Sequence, residues 1–186
     1  MRKVYTISLI FMAVMFLAMP IAAQENLLEN PGFEAEGYDG INSASDWDIW
    51  MGERLSELRR TGSWSLHGWG FDGDGDNGGW QGIFITPGTK FCFSGYLISP
   101  NEGGHHKSPL AGGAEAFLEI EWWQGDVKLS SARSSSLTGA SDWKLYSVTD
   151  TAPTDADSVR FVVKTQSVPG SSGDVYFDDL KVMIIE

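Results

Sequence analysis

Cysteine is nearly absent: Cys92 is the only one, so no internal disulfide framework can hold this chain together. Basic residues are also scarce, 13 Lys+Arg against 25 Asp+Glu, for a formal net charge of −12. Such an acidic surface repels phosphate backbones and argues against nucleic acid as a partner. There is no linker, no internal repeat and no long run of helical periodicity. The one helix-like stretch, "GERLSELRR" at 52–60, is short and more polar than a core helix. Catalytic signatures are missing too. His105 and His106 sit in a Gly-rich loop without metal-ligand spacing, and no Ser nucleophile motif occurs. Stability has to rest on core burial or a metal, and the length suffices for one core.

The N-terminus points to export. Arg2 and Lys3 precede a mostly apolar run from Val4 to Met19, followed by "PIAAQ". A basic start, an apolar stretch and small residues before a cut after Ala23 describe a secretory signal peptide over 1–23. A membrane anchor is the alternative, but the run is short for a spanning helix and nothing basic follows it. The expected mature chain is a single domain, 24–186, secreted to an extracellular or periplasmic space. Losing Arg2 and Lys3 takes its formal net charge from −12 to −14.

Apolar runs of strand length alternate with Gly, Ser, Asn, Asp and Pro clusters. The candidate strands are 25–28, 63–69, 80–86, 90–98, 115–123, 127–132, 143–149, 158–165 and 174–184. Many short strands at this spacing predict an all-β fold, a β-sandwich jelly roll. Side chains alternate across a strand, which assigns faces. In 115–123, Leu118, Ile120 and Trp122 share one side, and Phe117, Glu119, Glu121 and Trp123 the other. In "KFCFSGYL", Phe91, Phe93 and Gly95 alternate with Cys92, Ser94 and Tyr96. In "SVRFVVK", Val159, Phe161 and Val163 alternate with Arg160, Val162 and Lys164. If these strands share a sheet, its wet face carries Tyr96, Glu119, Glu121, Trp123 and Arg160.

Two acidic features invite a chemical reading. Glu119 and Glu121, at i and i+2 on a strand, lie ~7 Å apart, within the range of a glycosidase carboxylate pair. The flanking alternate positions, however, are Phe117 and Trp123, whereas β-sandwich glucanases carry a third acid. The pair therefore reads as part of a binding surface. The stretch "GFDGDGDNGGW" at 70–80 spaces Asp72, Asp74 and Asp76 like the start of a calcium loop. Asn77 in place of Gly and Ile83 in place of the closing Glu make it a solvated acidic loop instead.

Four stretches occur in order: "NLLENPGFE" at 26–34, "GSWSL" at 62–66, "ITPGTKFCFSGYL" at 85–97 and "VYFDDLKV" at 175–182. Together they resemble the carbohydrate-binding modules of families four, nine, sixteen and twenty-two, which have a galactose-binding-like jelly roll. The resemblance implies a structural calcium ion joining the first and last strands. Its ligands would be Glu34 and Asp178, with Gly32 and Thr61 as carbonyl donors; calcium favours six to eight hard oxygens. The alternative is that Asp178 only hydrogen-bonds a turn.

Sugar recognition gives the wet face a task. Pyranose C–H faces pack on aromatic rings, while carboxylates, amides and guanidinium groups take the hydroxyls. The expected ligand is a polysaccharide or glycan chain. The candidate contacts are Tyr96, Glu119, Glu121, Trp123 and Arg160 on the sheet face, with Trp69, Trp80 and Gln81 closing the cleft. Trp64, Trp122 and Trp143 are expected in the core. The alternative is a structural or adhesive envelope protein with the same sandwich and no sugar ligand.

Overall fold

The alternation of apolar and polar residues is realised as strands throughout a computed structural model that describes residues 25–186. The signal-peptide reading of 1–23 lies outside these residues. Four short strands come first: β1 (Glu36–Gly37), β2 (Gly40–Ala44), β3 (Asp48–Trp50) and β4 (Glu53–Leu55). The longer ones follow: β5 (Ser65–Trp69), β6 (Gly75–Phe84), β7 (Lys90–Ser99), β8 (Glu115–Gln124), β9 (Val127–Arg133), β10 (Ser141–Thr151), β11 (Ser158–Ser167) and β12 (Asp174–Ile184).

Two five-stranded antiparallel sheets face each other, with β1 and β2 forming a small ribbon at one side. One sheet runs β10-β7-β12-β5-β4 and is called the first sheet below; the second runs β3-β6-β11-β8-β9. This is an all-β jelly-roll sandwich. The inward residues are those that the alternation selects. Phe91, Phe93, Leu97, Val175 and Phe177 come from the first sheet; Leu118, Ile120, Trp122, Val159, Phe161 and Val163 come from the second. Rings lock across the interior, with Phe161 5.5 Å from Phe91 and 5.6 Å from Phe93, and Trp122 6.0 Å from Phe91. Each such side chain contributes roughly 1.5–3 kcal/mol on burial. The indole N–H of Trp122 donates to Asp150 Oδ2 at 2.8 Å, so burying that ring leaves no polar group unmet. Between β8 and β9 the chain reverses through Gly125–Asp126, with Gly125 at a φ of 54°. Glycine supplies this left-handed first position of a two-residue hairpin at no steric cost.

Several expectations are corrected. The stretch 52–60 is not helical: Glu53–Leu55 pairs with β5 as an edge strand. Residues 25–28 form no strand, although Leu27 N–H donates to the Val182 carbonyl at 3.0 Å and so lays the N-terminus along β12. The acidic stretch is a loop only as far as Asp74, because β6 begins at Gly75. Trp64 and Trp143 are half-buried rather than in the core; the Arg54 guanidinium lies 3.7 Å from the centre of the Trp64 ring.

Candidate functional site

The outer face of the second sheet gathers aromatic and charged side chains that come from four strands. Register sets Glu121 of β8 beside Arg160 of β11, and Glu119 beside Val162. It sets Val162 beside Trp80 of β6, and Trp50 of β3 beside Gly78. Paired residues in an antiparallel sheet point the same way, so Trp50, Trp80, Trp123, Arg160, Lys164, Glu119 and Glu121 share this surface. Arg160 is the centrepiece. Its guanidinium lies 4.1 Å from the Trp80 ring centre and 3.9 Å from that of Trp123, a cation between two half-buried indoles. Trp50 donates its indole N–H to Asp76 Oδ1 at 2.9 Å, and Trp123 donates to Glu121 Oε2 at 3.2 Å.

The two glutamates are held by lysines. Lys128 Nζ is 2.7 Å from Glu121 Oε1 and 3.2 Å from Glu119 Oε1; Lys164 Nζ is 2.9 Å from Glu119 Oε2 and 3.6 Å from Glu121 Oε1. Burial alone would raise the Glu119 pKa. Hydrogen bonds from Ser131, Lys164 and Lys128 outweigh it and hold the carboxyl below its ordinary value. Two shallow clefts border the Trp80–Arg160 pair. One of about 200 Å³ is lined by Trp50, Asp76, Glu121 and Lys164; the other, of about 370 Å³, by Gly82, Phe84, Asp126 and Asp157. A chain lying across the sheet would meet both.

Three of the sequence-derived candidates lie elsewhere. Tyr96 is on β7, in the first sheet, so it points away from Trp123 across the whole sandwich. The Arg60 guanidinium covers its ring at 3.5 Å from the centre. Trp69 is on β5, also in the first sheet, and packs against His67 with ring centres 5.5 Å apart. Gln81 is buried and already bonded: it accepts from Glu29 N–H at 2.8 Å and donates to the Glu29 and Asp46 carbonyls, each at 3.0 Å. It pins the N-terminal segment to β6 and spends both amide hydrogens on backbone carbonyls. Trp50, Lys128 and Lys164 are the contributors that sequence reasoning did not place in the site.

The four residues expected around calcium do meet. Glu34 accepts from Ser63 N–H at 2.9 Å and Trp64 N–H at 3.1 Å. Asp178 is fully buried and accepts from the backbone N–H groups of Arg60 at 2.7 Å, Thr61 at 3.1 Å and Asp179 at 2.7 Å. A side-chain carbon on Gly32 would come within 3.5 Å of Asp178 Oδ1 and 4.0 Å of Glu34 Oε1, so that residue lies between the two carboxylates. Burial pushes the Asp178 carboxyl up to about 6. A buried carboxylate bonded only by backbone amides, next to a second carboxylate, is the start of a set of hard oxygen donors that fits a dication.

No protein-family model and no curated protein matches the sequence. Solved structures do. The chain is similar to the family 61 carbohydrate-binding module TmCBM61 in complex with beta-1,4-galactotriose, at 16% identity over 87% of this chain and 99% of that one, with a TM-score of 0.56. It is similar to the CBM22-1 xylan-binding domain from Paenibacillus barcinonensis Xyn10C, at 14% identity over 88% and 97%, with a TM-score of 0.58. It also matches the enzymatically active domain of Bacteriophage CBA120 tailspike protein 4, at 13% identity and a TM-score of 0.60, covering 86% of this chain but 21% of that one. The fold is thus the β-sandwich jelly roll of carbohydrate-binding modules.

Proposed function

We propose that this protein is a secreted, non-catalytic binder of polysaccharide, with the glycan chain lying across the outer face of the second sheet. The observation that carries the reading is the Trp80–Arg160–Trp123 stack, which sets aromatic surface and a guanidinium donor side by side where two clefts meet. Burying about 60 Å² of sugar C–H surface on one indole contributes roughly 1.5 kcal/mol, about tenfold in affinity. A few such platforms give the modest binding suited to a targeting module. Its solved neighbours include one bound to galactotriose and one described as xylan-binding, in keeping with a neutral glycan.

The state of the carboxylates supports binding without cleavage. A glycosidase needs one carboxyl kept protonated as a general acid, with a raised pKa. Glu119 is shifted in the opposite direction, and both glutamates sit against Lys128 and Lys164. Export rests on the N-terminal pattern of Arg2, Lys3 and the apolar run. Calcium, held by Glu34 and Asp178 with the Gly32 and Thr61 carbonyls, would act structurally, tying the start of the chain to β12.

Titration calorimetry of the wild type and Trp123→Ala against soluble xylan, galactan, mannan and β-glucan, with reducing ends assayed in parallel, tests the reading. Saturable binding to at least one glycan, weakened by the substitution and without sugar release, is expected. Release of reducing ends that Glu119→Gln or Glu121→Gln abolishes would overturn it, as would no binding to any glycan.

A further inference from the structure

The outer side of the first sheet carries a cluster that the glycan-binding face does not use. Register places Glu53 of β4 opposite His67 of β5, and the loop between β7 and β8 folds back to set His106 on that pair. His67 Nδ1 lies 3.2 Å from Glu53 Oε1 and 3.3 Å from His106 Nδ1, and His106 Nδ1 lies 3.6 Å from Glu53 Oε1. The His67 side chain is 2% exposed. Those of Glu53 and His106 keep 24% and 19%, opening onto a cleft of about 440 Å³ beside Trp69.

Proton positions decide what the cluster can hold. Asp174 Oδ1 lies 2.9 Å from His67 Nε2, and its Oδ2 accepts from Ser108 N–H. The carboxylate can only accept, so His67 Nε2 carries a hydrogen, and when the ring holds no second proton its Nδ1 is a bare lone pair. That lone pair faces Glu53 Oε1, another acceptor. His106 Nε2 lies 3.1 Å from His105 Nε2, which leaves its Nδ1 turned to the same point. Where all three atoms present lone pairs, they repel unless a proton or a metal cation sits among them.

We propose that Glu53 Oε1, His67 Nδ1 and His106 Nδ1 bind a late first-row divalent metal ion, zinc by their geometry, with a fourth position open to the cleft. A tetrahedral zinc ion with bonds of ~2.0–2.1 Å separates its ligand atoms by about 3.3–3.4 Å. The three separations here bracket that value. Two imidazoles and a carboxylate select zinc, copper or nickel over calcium, which takes oxygen ligands. The outer partners fit as well. Asp174 on His67 is the carboxylate–histidine pairing that orients a metal-binding ring, and Tyr176 O–H donates to the His106 carbonyl at 2.8 Å. His106 adopts a φ of 56°, a left-handed conformation that a non-glycine residue adopts at a cost. The ion ties the β7–β8 loop to the first sheet. Among the described residues this is the one group of three such side chains with ligand atoms all within 4.8 Å of one another.

The test uses the whole secreted protein without a histidine tag, stripped with chelator and titrated with Zn²⁺ in excess Ca²⁺. One zinc per chain at micromolar affinity or tighter is expected, as is a tetrahedral absorption spectrum with Co²⁺. His106→Gln, which keeps the main-chain carbonyl that Tyr176 bonds, should weaken zinc at least ~10-fold, and Asp174→Asn ~10–100-fold. Glycan affinity should stay unchanged in His106→Gln, which separates this proposal from the glycan reading. Absence of zinc binding, or unchanged affinity in His106→Gln, would overturn the proposal and leave a protonated His67 bridging Glu53 and Asp174.

Discussion

The guanidinium of Arg160 rests 3.9 Å from the ring centre of Trp123, one strand away across the outer face of the second sheet. The contact fixes two long side chains in one arrangement before any ligand arrives, so less rotamer freedom remains to be lost on binding. Trp123→Ala should therefore weaken glycan binding by about tenfold for the lost platform and leave the melting temperature nearly unchanged. Arg160→Lys should also lose affinity, because an ammonium cannot stack between two indoles as a planar guanidinium does. Calorimetry paired with thermal melts checks both. If Trp123→Ala unfolds the protein, the residue serves the core and this face is not a ligand surface.

Acid should loosen the same face. The Glu119 carboxyl is held below its ordinary value of 4.5. Its contribution to stability is therefore full above that pH and is lost as pH falls through the lower folded-state value. Glu119→Gln should cost about 1–3 kcal/mol at neutral pH, since it leaves Lys128 and Lys164 short of a partner. It should also flatten the acid limb of a melting-temperature profile measured below about pH 4.5. An acid limb as steep as that of the wild type would show that other carboxylates set it.

Calcium should raise the melting temperature, by roughly 2.7 kcal/mol of stabilisation at a hundredfold excess over the dissociation constant, and EDTA should reverse the gain. Asp178→Asn should be insensitive to both additions. Asp178→Asn sets an NH2 group against backbone N–H donors that both carboxylate oxygens now satisfy, so it costs stability with or without the ion, and its lost response to Ca²⁺ and EDTA is the decisive readout. A wild-type midpoint that ignores Ca²⁺ and EDTA rules the ion out.

Gln81→Ala should behave as a purely structural change. Its amide satisfies three backbone groups of the N-terminal segment, so truncation should cost about 1–3 kcal/mol in urea unfolding. Glycan affinity should be unaltered, whereas a loss of affinity without a loss of stability would return Gln81 to the binding site.

Strand positions and face assignments were legible in the sequence because they depend on a local period of two. Leu118, Ile120 and Trp122 are in the core and Glu119, Glu121 and Trp123 face the other side, as alternation requires, but the two glutamates are buried there rather than wet. Strands β1 to β4, of two to five residues, escaped because so few residues show no period. Trp50 was missed as a site residue for that reason.

What the sequence alone determined is the all-β character and the burial side of each long strand, while the meeting of Glu34 with Asp178 was implied by the resemblance to carbohydrate-binding modules. Sheet membership was decided only in three dimensions. Tyr96 and Trp123 each sit on a wet strand face, yet β7 and β8 belong to opposite sheets, and no local pattern encodes which partner a strand takes. The Glu53–His67–His106 cluster is the sharpest case. Its two histidines are 39 residues apart and meet through strand register and a loop that folds back, both set by long-range packing rather than by neighbouring residues.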